Sequence, residues 1–172
     1  MPQGFLALVS GKVKQIFATA VSAGAANADN IVALDSTGKL DMSVMPAGIG
    51  ANTQVIDASE ALSAGSFVQI YANAGAAGVR LADASSGREA NGYVLAAVAN
   101  AAAATVYPLD GVNSALTGLT PGGTYWLGNA GAVAAAPLDS TDVSNVNKVN
   151  QILGKAKSAT ELVTDDYGYQ VL

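Results

Sequence analysis

From residue 54 onward, clusters of Gly, Asn and Ser cut the chain at intervals of about 8–12 residues, and the runs between the cuts are too short for substantial helices. Apolar and β-branched runs at 54–57, 66–71, 79–82, 93–98, 105–109, 124–127, 131–135, 152–156, 161–163 and 169–172 read as short strands. About ten such strands with turn signals between them form the pattern of an all-β sandwich or barrel. The polar stretch 142–150 is the single helical candidate. Thr120-Pro121-Gly122-Gly123 suits a type II turn, with Pro at i+1 and Gly at the positive-φ position. Gly128-Asn129-Ala130-Gly131 can close a hairpin between 125–127 and 132–135. Trp126, the sole tryptophan, is expected to point inward and Tyr125 outward. Pro108 and Pro137 mark strand ends.

The first 53 residues read differently. Phe5–Val9 and residues 13–17 flank a Ser10-Gly11 turn and predict a small hairpin. Residues 18–30 are Ala, Ser, Gly and Asn with few apolar anchors, which suggests an extended arm or linker. The apolar run 31–34, the turn Asp35-Ser36-Thr37-Gly38, the segment 39–45 and a loop-like 47–53 follow. The expected organisation is an arm with hairpin and linker at 1–53 and a β-rich domain at 54–172. The expected fold is thus all-β, a compact barrel or sandwich-like head with an extended N-terminal arm.

The chemistry available is narrow. The chain has no His, no Cys and only 12% charged residues, so the usual acid–base, nucleophilic and metal-ligating groups are scarce. Alanine makes up about a fifth of the 172 residues and aromatics 6%, so a thin core leaning on neighbouring subunits is expected. A net charge of −5 and scattered basic residues argue against nucleic acid. The i, i+2 pairs Lys12/Lys14 and Lys155/Lys157 each fall on one strand face, either as solvated charge or as a contact with an acidic partner. The stretch 93–109 is too short and too interrupted to cross a membrane, and 1–9 lacks the features of a secretory signal. Neither a membrane nor export is therefore expected, and synthesis in the cytosol is the default.

Individual motifs resolve into turns. Asp35-Ser36-Thr37-Gly38-Lys39 has Ala33 and Leu40 where a phosphate-binding loop requires Gly and Ser/Thr. Gly48-Ile49-Gly50 lacks the third glycine and following helix of a dinucleotide site. Asp139 and Asp142, and the pair Asp165/Asp166, lack the alternating ligands of a calcium loop. Glu60, Glu89 and Glu161 suggest no carboxylate pair by spacing, and a serine hydrolase would need a histidine base and a G-x-S-x-G elbow. The expectation is a protein that is not an enzyme and carries no cofactor and no metal.

Two stretches carry a family resemblance. Ala61-Leu62-Ser63-Ala64-Gly65-Ser66-Phe67-Val68, Arg80-Leu81-Ala82-Asp83-Ala84, Ala90-Asn91-Gly92-Tyr93-Val94-Leu95 and Ala104-Thr105-Val106-Tyr107-Pro108-Leu109-Asp110-Gly111 follow one another. With Gly118–Leu127 and Ile152–Ala156 they resemble the β-rich module of tailed-bacteriophage head decoration (cement) proteins, found also in head fibres and tail-fibre tips. The segment from Ala28 through Asp35-Ser36-Thr37-Gly38-Lys39 to Asp41, ending at Met45-Pro46, is similar to a linker near the N-termini of phage fibre and head-attached proteins. The resemblance covers about three-quarters of the chain. It implies a structural virion protein on the capsid exterior, a β-tulip type head, the major capsid protein as partner and a homotrimer. A fibre or receptor-binding protein touching host glycans is the other reading it allows, although the six dispersed tyrosines do not suggest a sugar site. Within the arm, Phe5, Leu6, Leu8, Ile16, Phe17, Ile31 and Leu34 are the expected contacts with the capsid or a sister subunit, or else with the chain's own head domain.

Overall fold

The computed structural model describes residues 4–45 and 52–172. The loop expected at 47–53, including Gly48-Ile49-Gly50, lies almost wholly outside the described residues. The chain forms two compact units, Met1–Ala51 and Asn52–Leu172.

The first unit is built on one hairpin, β1 (Gly4–Val9) and β2 (Lys12–Phe17), paired antiparallel from Gly4 opposite Phe17 to Val9 opposite Lys12. The Ser10-Gly11 turn closes it with both residues at positive φ, the backbone twist that two-residue hairpins require. Residues 18–30 do not run extended as their composition suggested. The Thr19 amide donates to the Ile31 carbonyl at 2.8 Å and the Ala33 amide to the Thr19 carbonyl at 3.0 Å, so the chain between them closes into a loop. A 3-10 turn at Gly24–Asn27 fills that loop. Asn27 Oδ1 accepts from the Ala23 amide and Asn30 Nδ2 donates to Thr19 Oγ1. The Asn and Ser side chains that resemble linker composition serve here as local backbone partners.

The second unit is all-β. Strands β3 (Gln54–Ala58), β4 (Phe67–Asn73), β5 (Ala76–Leu81), β6 (Gly92–Tyr93) and β7 (Ala103–Pro108) form a closed barrel in the order β3-β5-β4-β6-β7. Closure pairs β3 antiparallel with β7 and parallel with β5. Its interior holds Ala58, Val68, Val79, Ala104 and Val106, with Leu62 and Val94 at the ends of the strands. A five-stranded barrel is narrow, which favours small inward residues, and Ala and Val fill most of those positions. Ala58 and Ala104 are the alanines this lumen takes.

A second, open sheet runs in the order β10-β9-β11-β12-β8. It comprises β8 (Val112–Asn113), β9 (Thr124–Leu127), β10 (Val133–Ala134), β11 (Val149–Ala156) and β12 (Leu162–Thr164), and β13 (Tyr169–Val171) pairs with β11. The larger core lies between this sheet and the barrel: Phe67, Tyr93, Leu109, Leu119, Tyr125, Leu127, Val149, Leu153 and Leu162. On β4 the alternation is plain, with Val68 and Ile70 packing in the lumen and Phe67 in the outer core.

Several expectations are revised. Trp126 and Tyr125 exchange faces: Tyr125 and Leu127 are buried and Trp126 is half-buried on the outer side. The reason is the turn before them, because Tyr125 Oη accepts the Thr120 amide at 2.8 Å and that bond holds the phenol inside. The strand expected at 93–98 shortens to Gly92–Tyr93, the residues that pair with β4 and β7, and the chain then continues as single bridges such as Leu62 to Val98. The helical candidate at 142–150 is a 3-10 turn at Val143–Asn145 running into β11. The 120–123 turn is as expected, with Gly122 at φ +80 and the Gly123 amide donating to the Thr120 carbonyl. Among the described residues no helix is long and apolar enough to cross a membrane.

Buried polar side chains are all partnered among the described residues. Gln151 forms a two-way bond with Ala90, its Oε1 accepting from the amide at 2.7 Å and its Nε2 donating to the carbonyl at 2.9 Å. Asn113 Nδ2 donates to the Gly65 carbonyl at 2.9 Å.

The hairpin turn at Gly131 joins the two sheets. Its amide donates to the Ala82 carbonyl at 2.6 Å, and its carbonyl accepts from the Phe67 amide at 2.9 Å. Gly131 sits at φ +75, and a Cβ there would lie 2.8 Å from the Phe67 carbonyl oxygen and 2.9 Å from Leu81 Cδ2. Gly131→Val is therefore expected to lower unfolding free energy by about 3 kcal/mol, through positive φ and displaced backbone together. Urea unfolding followed by Trp126 fluorescence checks this; an unchanged midpoint would mean the turn is free to move.

Candidate functional site

The β1–β2 hairpin presents two unlike faces. Cross-strand register places Leu6, Leu8, Val13 and Phe17 on one side around Gln15, and Phe5, Ala7, Val9 and Ile16 on the other with Lys12 and Lys14. The first side is open: Leu6 and Leu8 are each 74% exposed, Val13 69% and Phe17 53%. Phe5 and Ile16, directly opposite one another, are half-buried. Of the residues singled out from sequence, the hairpin brings together Phe5, Leu6, Leu8, Ile16 and Phe17. Ile31 and Leu34 lie on the later segment and are exposed as well. Val13, Val21, Val32 and Leu40 belong with them and were missed; for Val13 the signal was its register opposite Leu8.

None of residues 4–41 and 43–45 is buried. Of the eighteen large apolar side chains exposed among the described residues, nine belong to this stretch, the shorter of the two. A two-stranded hairpin is marginal alone in water, and contiguous exposed apolar surface marks an interaction site.

Several aspartates serve as turn caps. Asp35 Oδ1 accepts from the Thr37 amide, the Thr37 hydroxyl and the Lys39 amide, and these bonds, that from Lys39 foremost, hold its carboxyl below the usual range. Asp139 and Asp142 do the same for Thr141 and Ser144 and are lowered likewise. Asp165 Oδ1 accepts the Asp166 amide. No three potential metal ligands converge among the described residues. The Lys12/Lys14 pair lies exposed on one hairpin face. Lys157 instead pairs with Glu161 at 3.4 Å in solvent, the one ion pair among the described residues.

A second feature escaped the sequence. Trp126 on β9 pairs with Ile152 on β11, and Asn150 on β11 pairs with Gln170 on β13. Together with Tyr167, Gly168 and Tyr169 they line an open groove of about 360 Å³ on the outer side of the second sheet. Tyr167 is 58% exposed and Tyr169 50%. The tyrosines are not all dispersed, because strand pairing gathers two of them beside the sole tryptophan. Elsewhere Tyr93 stacks on Tyr107 with ring centroids 5.6 Å apart, and the Arg80 guanidinium lies 4.2 Å from the centre of the Tyr71 ring.

No protein-family model matches the chain. No curated protein matches it in sequence. Among solved structures it is similar to the N base of head fiber gp8.5 in bacteriophage phi29, with a TM-score of 0.44 and 12% identity over 67% of this chain and 95% of that one. A likeness that loose carries no argument about what the chain does.

Asp83 yields a testable pH dependence. Its carboxylate caps the 3-10 turn Ala84–Ser86 and also accepts the Ala130 amide at 3.2 Å, tying the barrel to the β9–β10 turn. Burial alone would raise its pKa, but the Ser85 hydroxyl and three backbone amides outweigh it and hold it below 3.8. A depressed carboxylate stabilises the fold above its unfolded pKa, and that contribution is lost as pH falls through the folded value. Asp83→Ala is expected to cost about 1 kcal/mol at neutral pH. The difference from the parent should shrink below about pH 4, as denaturant midpoints at pH 7 and pH 3 would show.

Proposed function

We propose that this is a structural protein of a bacteriophage virion that decorates or cements the capsid exterior. In this reading the hairpin unit engages the major capsid protein or a sister subunit, and the barrel unit is displayed outward. One observation carries it: none of residues 4–41 and 43–45 is buried, yet Leu6, Leu8, Val13 and Phe17 stand exposed on one strand face. Such a face has about 25 cal/mol per Å² to gain from any apolar partner that covers it. Two weak contacts joined on one chain also reinforce each other through effective concentration. The resemblance of the 61–127 and 152–156 motifs to decoration modules supports the same reading. A homotrimer on a symmetry axis is the assembly proposed, since copies packed together cover open strand edges.

The protein acts in this reading by surface complementarity and catalyses nothing. Asp35, Asp83, Asp139 and Asp142 are engaged as turn caps, and no buried polar side chain among the described residues lacks a partner. A head-fibre or tail-fibre tip protein is the second reading, favoured by the exposed Tyr167 and Tyr169 beside Trp126.

Leu6→Asp/Leu8→Asp is the variant that tests the arm, and deletion of residues 1–30 is its coarser companion. Both should reduce cosedimentation with capsids lacking the protein by more than tenfold and leave the melting of the barrel unit unchanged. Undiminished binding by both would remove the hairpin from the interface. Copy number separates the two readings, with hundreds per particle expected for a decorator and a few to tens for a fibre.

A further inference from the structure

We propose that the groove across β9, β11 and β13 is a binding site for a neutral oligosaccharide. This goes beyond the decoration reading and does not depend on it, because the groove belongs wholly to the second unit.

The lining is aromatic and amide in character and uncharged: Trp126, Asn150, Ile152, Tyr167, Tyr169 and Gln170 around the Gly168 backbone. Sugar rings offer a C–H face that lies flat on an aromatic ring and hydroxyls around the rim that pair with amides and phenols. The polar groups needed are free. Among the described residues the Trp126 indole N–H, the two tyrosine hydroxyls and the Gln170 amide make no hydrogen bond. Asn150 engages only Oδ1, which accepts the Leu138 amide at 3.3 Å, leaving its two N–H donors available. The volume, about 360 Å³, falls at the lower end of the range for small-molecule sites.

Charge selects among ligands. A nucleotide, a sulfated glycan or a sialylated one would call for Arg or Lys in the lining, and there is none. The chain's net charge of −5 opposes such anions further. An aliphatic ligand would leave the amides and hydroxyls unpaired. A neutral saccharide satisfies both the rings and the donors.

The only tryptophan of the chain sits in the groove, so its emission reports occupancy directly. The full-length protein is titrated separately with short oligomers of N-acetylglucosamine, glucose, galactose and rhamnose, and with heparin oligosaccharide as an anionic probe. At least one neutral oligomer is expected to change Trp126 emission saturably, with a dissociation constant on the order of 1 mM. Tyr167→Ala and Gln170→Ala, both at exposed positions, should weaken that binding at least tenfold and leave the melting temperature unchanged. The proposal is overturned if no neutral oligomer alters the emission at tens of millimolar, if only heparin does, or if both variants bind as the parent does.

Discussion

Two backbone hydrogen bonds at Gly131 carry the second sheet on the rim of the barrel. Its amide reaches the carbonyl of Ala82 at the end of β5, and its carbonyl takes the amide of Phe67 at the start of β4. Ala84 adds a third bond to Gly128, and Asp83 a fourth to Ala130. Once these are made, Phe67 and Tyr93 face Leu127, Leu153 and Leu162, and the larger core closes. Any side chain at position 131 would push the layers apart, so the position is fixed by geometry before any partner is considered.

The two cores divide the work by size. The barrel lumen holds no aromatic and is filled with aliphatic side chains, Ala and Val foremost, whose packing depends on close approach of the strands. The outer core takes the larger residues, and its polar members are satisfied in pairs, Gln151 with Ala90 and Asn113 with Gly65. The hairpin unit has neither resource. A hairpin without a core of its own is expected to be only marginally stable in water.

What could be read from sequence followed local signals. β9 stands at 124–127 as expected because Pro121-Gly122-Gly123 and Gly128-Asn129 bracket it. The hairpin at 4–17 was equally legible from its alternation and its turn. Long-range pairing was not. β8 is two residues long and exists because Val163 and Leu162 pair with it and Asn113 reaches Gly65. The inward face of β9 hung on one Tyr125–Thr120 bond that alternation alone cannot reveal. Trp126 and Tyr167 lie far apart in the chain, and β11 brings them to one groove.

The scarcity of ion pairs has its own consequence. Lys157–Glu161 is exposed, so it contributes little, and dissolved salt has almost nothing else of the kind to screen among the described residues. The second unit is held by apolar contact and by backbone and amide hydrogen bonds, forces that differ little between brine and rainwater. A unit held in this way is expected to keep its fold through an abrupt change of osmolarity.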